Sequence, residues 1–359
     1  TKMDKRVDSN LLLDMSGMLN DIGFNLDDEL GVANMAEYHY DDGAVYGFPT
    51  KYENSRWILI NEDMFKEAGL DIPYDGWTYS EFLADAEKLT HGEDQDKVYG
   101  VCWARKQSGK SILYALDGVL GANQIYKNEE GTEVNFDNDV YRAGLNLVKE
   151  TLDKGYAIPI EDEFSEDISV ANTFLQGKCA IMLGVAQMRL CMDQENYPHD
   201  FMTALVPAPV PDDEKYNTEF YRKQIGTTGA GDLLSISANT KYPEASFEFA
   251  MWYLKGGMSP LVQGGRIPLW NGVNKDEVLS VLKEKAQGSI DMDSMENYLS
   301  LDTTQGVAAI KGHASSEISS AWFEEFDAMC YGKQSVDQTV QNMEKRGNEL
   351  IQTELSSQK

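Results

Sequence analysis

The chain has 359 residues, 42% hydrophobic and 25% charged, which is folded-protein composition and enough length for two cores rather than one. Its 60 acidic residues outnumber 31 basic ones, and the net charge of −29 repels phosphate backbones and anionic bilayers, so nucleic acid is not an expected partner. No run is apolar enough to span a bilayer, and Thr1–Arg6 lacks the apolar stretch of a secretion signal.

In chain order, short apolar strands alternate with amphipathic helices across Gly, Pro, Asn and Asp turns, the punctuation of an α/β protein. The turn Asp41-Asp42-Gly43 leads into a strand over Ala44–Pro49. A second strand, Arg56–Ile60, stops at Asn61, which reads as the N-cap of a helix over 62–68 that Gly69 closes. Thr78 followed by Glu81 is a capping box for a helix over Tyr79–Leu89. Helices are expected over 141–154 and 170–176, each ended by a glycine, with a buried strand over Cys179–Leu183 between elements. Leu233–Ile236 reads as a strand, and 243–254 as a helix carrying Ala245, Phe249 and Trp252 inward. The remainder from Glu317 is helical to Glu354, with one break at Tyr331-Gly332.

Motifs that would mark an enzyme fail on inspection. Gly226–Gly231 has GxxGxG spacing and precedes a strand, where a dinucleotide loop needs GxGxxG and a helix N-terminus. Asp291-Met292-Asp293 begins like a calcium loop, but Glu296 stands where the turn requires glycine, which leaves a solvated turn. No GxSxG elbow occurs, and chance carboxylate pairs among 60 acids cannot identify a glycosidase. The four Cys and four His are too widely spaced for a zinc site or a disulfide scaffold. Cys179 and Cys191 are close enough to pair across one connection; otherwise free thiols are expected. No cofactor or metal is expected.

A series of segments resembles the family-1 extracellular solute-binding proteins, which include the maltose-binding protein. Tyr46-Gly47-Phe48-Pro49 is similar to its YGxP strand, and Leu59–Phe65 with Ala68-Gly69-Leu70 to its YNKDxFxxAGL helix. Pro73, Trp77-Thr78 and Leu89-Thr90 follow in the family's order, as does the strand entry Asp96–Gly100. Phe174–Met182 resembles FxxGKAAM, Ile236-Ser237 to Ala245 the step into an acidic-alanine helix, Gly265–Pro268 a GxxP loop, and Tyr331–Gln338 the terminal turn. The resemblance runs from near residue 10 to the end. It also implies that the chain starts after the family's first strands, since Leu11–Asp14 matches its L-x-D-L segment, so lobe one should lack part of its sheet. Where many members carry a Trp after the GKAAM strand, this chain has Gly184-Val185-Ala186-Gln187.

The resemblance implies a two-lobed type II periplasmic-binding-protein fold of the Venus-flytrap kind. Lobe one would comprise 1–55 and 232–312, and lobe two 56–231 and 313–359. It implies a receptor rather than an enzyme: a monomer, exported and lipid-anchored, that hands a mono- or oligosaccharide to the permease subunits of an ABC transporter. A polyamine or amino-alcohol receptor, and a glycoside hydrolase, are the alternatives. A sugar offers flat C–H faces and a hydroxyl rim, so its site needs stacking rings beside carboxylates, amides or Arg. The first crossing between lobes should supply Tyr52, Glu53, Asn54 and Arg56, and the second Gly229, Gly231 and Asp232. Trp270 is the preferred stacking residue, with Arg266, Gln187, Arg189 and Trp103 as further cleft residues. Trp57, Trp77 and Trp252 are assigned to packing.

Overall fold

A computed structural model describes residues 2–35, 38–40, 42–54, 56–105, 120, 125–165, 169–224, 230–257, 259–300, 310 and 312–357. Two sheets organise them. The larger has the order β3-β4-β2-β5, with β2 at Trp57–Asn61, β3 at Tyr99–Cys102, β4 at Cys179–Leu183 and β5 at Thr203–Pro207. β3 and β4 run parallel, while β2 lies antiparallel to both β4 and β5. Every residue of β2, β4 and β5 is buried, which explains their near-continuous apolar runs: both faces of this sheet are covered.

The alternation along β2 divides two cores. Ile58 and Ile60 face a core shared with Trp77, Phe82 and Phe326; Trp57 and Leu59 face another with Met182, Leu205 and Tyr298. On the first face lie the Tyr79–Leu89 helix, the Asp139–Asp153 helix, and the long pair Ser315–Cys330 and Val336–Ser357, which pack on each other and on Asp139–Asp153. The expected starts are present. Asn61 accepts from Met64 N–H, and Thr78 with Glu81 forms the reciprocal capping box, satisfying N–H groups that no helical carbonyl reaches.

The smaller sheet has the order β6-β1-β7, with β1 at Phe48–Tyr52, β6 at Ala230–Leu234 and β7 at Ile267–Pro268, all antiparallel. Its register corrects two expected boundaries. Phe48 pairs with Leu234 and Tyr52 with Ala230, so β1 extends through Tyr52 rather than ending at Pro49, and β6 starts three residues before Leu233. Ser237 instead bridges Leu12, and Ile236 accepts from Leu13 N–H. The chain leaves this sheet at Tyr52 and enters the larger one at Trp57, and it returns between Pro207 and Ala230.

Three further expectations are overturned. The Pro243–Trp252 helix buries Phe247, Ala250 and Met251, with Leu254 beyond it, while Ala245 is exposed and Phe249 and Trp252 are each 58% exposed. Both faces of that segment carry apolar residues at helical spacing, so periodicity alone cannot choose between them. Asp291 does not sit in a solvated turn; its carboxylate caps the Met292–Leu299 helix by accepting from Asp293 N–H. Cys179 bonds to Cys102, 77 residues away, across the parallel β3/β4 pair with Cα atoms 6.3 Å apart, leaving Cys191 and Cys330 as free thiols. Among the described residues no helix is long and apolar enough to cross a membrane.

Candidate functional site

Where the chain passes from β1 toward β2, segments distant in sequence enclose a cavity of about 260 Å³. Lys51, Tyr52 and Glu53 come from the end of β1, Val185, Met188 and Arg189 from the turns after β4, Gly264–Ile267 from the entry to β7, and Tyr298 from the Met292–Leu299 helix. Its floor is aromatic. The Tyr298 ring lies 5.2 Å from that of Tyr52 and 5.4 Å from that of Trp57, centroid to centroid. Burial pushes both phenols well above the usual tyrosine range, so they stay neutral at any physiological pH.

The rim is charged. Lys51 Nζ lies 2.5 Å from Glu53 Oε2 and 3.8 Å from Asp232 Oδ1, and Asp232 also pairs with the Arg266 guanidinium. Three strands build this chain of charges: Lys51 and Glu53 alternate to one side of β1, Asp232 projects from β6, and Arg266 precedes β7. Asp232 adopts a left-handed backbone (φ 52°), and its carbonyl accepts from Thr50 Oγ1 at 2.8 Å, which fixes the carboxylate beside Lys51. A Cβ on Gly231 would stand 3.2 Å from Lys51 Cε, so glycine there leaves the lysine its path along the sheet. Gly265 is more constrained. Its φ is +76°, and a Cβ would meet Arg189 Cβ at 3.1 Å, so the β7 entry loop runs directly against the turn carrying Arg189.

Of the residues expected in the site, Tyr52, Glu53, Arg189 and Arg266 line this cavity, while Asp232 pairs with its Arg266 and Lys51 and Gly231 lies against Lys51. Trp270 lies in an adjoining pocket of about 70 Å³ that shares Tyr52 and Ile267; its Nε1–H donates to Glu29 Oε2 at 2.6 Å. Asn54 and Arg56 are buried and shape the crossing instead of its rim. Asn54 N–H donates to the Tyr298 hydroxyl (2.8 Å), and its side-chain oxygen accepts from Arg56 N–H (3.0 Å). Gln187 is half-buried beside Val185 and Met188 without lining the cavity. Trp103 is corrected: it is buried in the core against Phe82, with Nε1–H donating to Thr151 Oγ1 at 2.9 Å. It follows directly on β3 in the loop that the sequence predicts, but its indole turns into the core and not toward the cavity. Gly229 lies outside the described residues. Lys51 and Tyr298 were not among the expected residues; Lys51 is adjacent to one that was, and nothing near Tyr298 in sequence marks it.

A second, larger cavity of about 1080 Å³ opens between the Lys2–Asp8 helix and the start of the Ser315–Cys330 helix. Asp4, Lys5 and Tyr40 face His313, Ser315 and Glu317 across it. Tyr40 donates to Asp4 at 2.9 Å, Lys5 Nζ lies 3.4 Å from Glu317, and His313 Nδ1 lies 3.0 Å from Glu354. None of these residues was expected in a site. Among the described residues no group of His, Cys, Asp and Glu is arranged to hold a metal ion.

The sequence matches the family model of bacterial extracellular solute-binding proteins over residues 1–255. The fold is similar to that of a sugar transporter from Rhizobium etli in an open conformation, at a TM-score of 0.72 and 16% identity over 97% of this chain and 81% of the other. It is also similar to an ABC substrate-binding protein from Listeria monocytogenes in complex with cycloalternan, at 0.69 and 17% over 96% and 81%. A third is the GacH receptor of Streptomyces glaucescens, solved unliganded and with acarbose, at 0.67 and 17% over 97% and 80%. The architecture is that of the type II periplasmic binding proteins. With residues 1–255 of 359 matched, the chain belongs to the bacterial extracellular solute-binding proteins.

Proposed function

We propose that this bacterial extracellular solute-binding protein is a carbohydrate receptor that binds a sugar in the cavity at the β1–β2 crossing and delivers it to an ABC permease. The observation that carries the reading is the pairing of a buried tyrosine floor with a rim of Lys51, Glu53, Arg189, Asp232 and Arg266. Rings offer the flat apolar surface that a pyranose face needs, and ionised side chains give the stronger hydrogen bonds to its hydroxyls. The carbohydrates named for similar structures, cycloalternan and acarbose, support the class of ligand.

A cationic solute is disfavoured because Glu53 and Asp232, the two carboxylates that would hold it, already face Lys51 and Arg266. The family and the lack of a catalytic motif support binding without turnover. Lobe one would comprise 1–55 with 232–312 and lobe two 56–231 with 313–359, closing on the ligand as a shift between open and closed populations. Export, lipid anchoring and a monomeric receptor complete the reading, and the Cys102–Cys179 disulfide suits an oxidising compartment. A second reading puts a longer oligosaccharide in the groove between the Lys2–Asp8 and Ser315–Cys330 helices, because its volume of about 1080 Å³ exceeds that of the first cavity.

A thermal-shift screen against mono- and oligosaccharides tests the proposal. A ligand present at a hundred times its Kd stabilises the native state by about 2.7 kcal/mol, and the midpoint should rise for one sugar or a small related set. Shifts with polyamines and none with sugars would replace the carbohydrate reading. Release of shorter sugars during incubation would instead mean hydrolysis.

A further inference from the structure

The charges around the tyrosine-floored cavity do not balance. Three cations, Lys51, Arg189 and Arg266, meet two carboxylates, Glu53 and Asp232, in a protein whose net charge is −29. The excess is located. Lys51 is taken by Glu53, and Arg266 by Asp232, whereas the exposed Arg189 makes no ion pair among the described residues. The close approach of Gly265 to Arg189, with a Cβ there only 3.1 Å from Arg189 Cβ, puts this arginine beside the loop that carries Arg266. A neutral sugar would be served by the paired charges alone and gives no reason for an additional guanidinium at the rim.

Resting on the carbohydrate reading above, we infer that the cavity takes an acidic sugar, a uronic or aldonic acid, whose carboxylate is held at Arg189, beside the loop that carries Arg266. A planar carboxylate matches the guanidinium fork in two parallel hydrogen bonds, which a hydroxyl cannot. The remaining hydroxyls face Lys51, Glu53 and Asp232, and the ring lies over Tyr298. The surrounding negative field opposes any anion at long range, so the local cations supply the selectivity, and salt modulates it.

Calorimetric titration with D-glucuronate, D-galacturonate and gluconate, each beside its neutral parent sugar and the corresponding sugar 6-phosphate, tests this at fixed ionic strength. The acidic sugar is expected to bind at least tenfold more tightly than its neutral parent. In Arg189→Gln that ratio should fall about tenfold, and Arg189→Lys should restore part of it. Neutral sugars binding as tightly as the acids would overturn the inference while leaving the carbohydrate receptor intact. Preference for the phosphates would overturn the carboxylate assignment. Binding of neither class would sink both readings.

Discussion

Arg266→Ala should weaken sugar binding by between about tenfold and a hundredfold while leaving the melting temperature within about 2 °C of the parent. The affinity loss follows from removing a charge-assisted donor set, worth about 1.5–3 kcal/mol when its acceptors are ligand oxygens shielded from water. A second effect has the same sign. Without the guanidinium, Asp232 keeps only Lys51, at 3.8 Å, and Lys51 is already 2.5 Å from Glu53, so the rim loses its excess positive charge and Asp232 loses its nearer partner. The small stability effect follows from exposure: the Arg266 and Asp232 side chains are 43% and 41% accessible, and ion pairs in such settings contribute about 0–1 kcal/mol to folding. Titration calorimetry beside a melting curve separates the two. A large fall in melting temperature with unchanged affinity would make the pair structural and remove Arg266 from the site.

Replacing both Cys102 and Cys179 by alanine should lower stability by about 4 kcal/mol, the chain-entropy value for a loop of this size. The disulfide joins the end of β3 to the start of β4 across a separation of 77 residues, a loop that contains the whole Asp139–Asp153 helix. The melting temperature should drop by about 10 °C, taking about 2–4 °C per kcal/mol for a domain of this scale. Both sulfurs are fully buried, so reductant alone should leave the folded protein unchanged and act only with denaturant present. Thiol titration of the denatured, unreduced chain should find Cys191 and Cys330 alone. Four reactive thiols would refute the bridge.

What could be read from the sequence was what neighbours in sequence determine. Caps at Asn61 and Thr78 were legible because the donors they satisfy lie two or three residues away. β2 and β4 were legible because a strand covered on both faces reads as an unbroken apolar run. The phase of the Pro243–Trp252 helix was not, since Phe249 and Trp252 offer as good an apolar stripe as Phe247, Ala250 and Met251. The disulfide was not, because only the adjacency of β3 and β4 brings Cys102 to Cys179.

The site divides the same way. Tyr52, Glu53, Asp232 and Arg266 were singled out through the family resemblance, and the fold brings them together at the end of β1. Tyr298 was invisible, since it reaches the cavity from a helix that Asp291 caps far along the chain. Trp103 misled because it stands in the loop just after a short strand, where the indole turns inward to Thr151. An aromatic residue at a strand end is equally suited to stacking on a ligand and to closing a core, and only burial distinguishes them.

The most direct test is a crystal structure of the protein saturated with whichever sugar gives the largest thermal shift. The predicted result is a sugar ring over Tyr298, with its polar groups in hydrogen-bonding reach of Arg266 and Lys51. A sugar bound in the groove between the Lys2–Asp8 and Ser315–Cys330 helices, with the tyrosine-floored cavity vacant, would contradict the account.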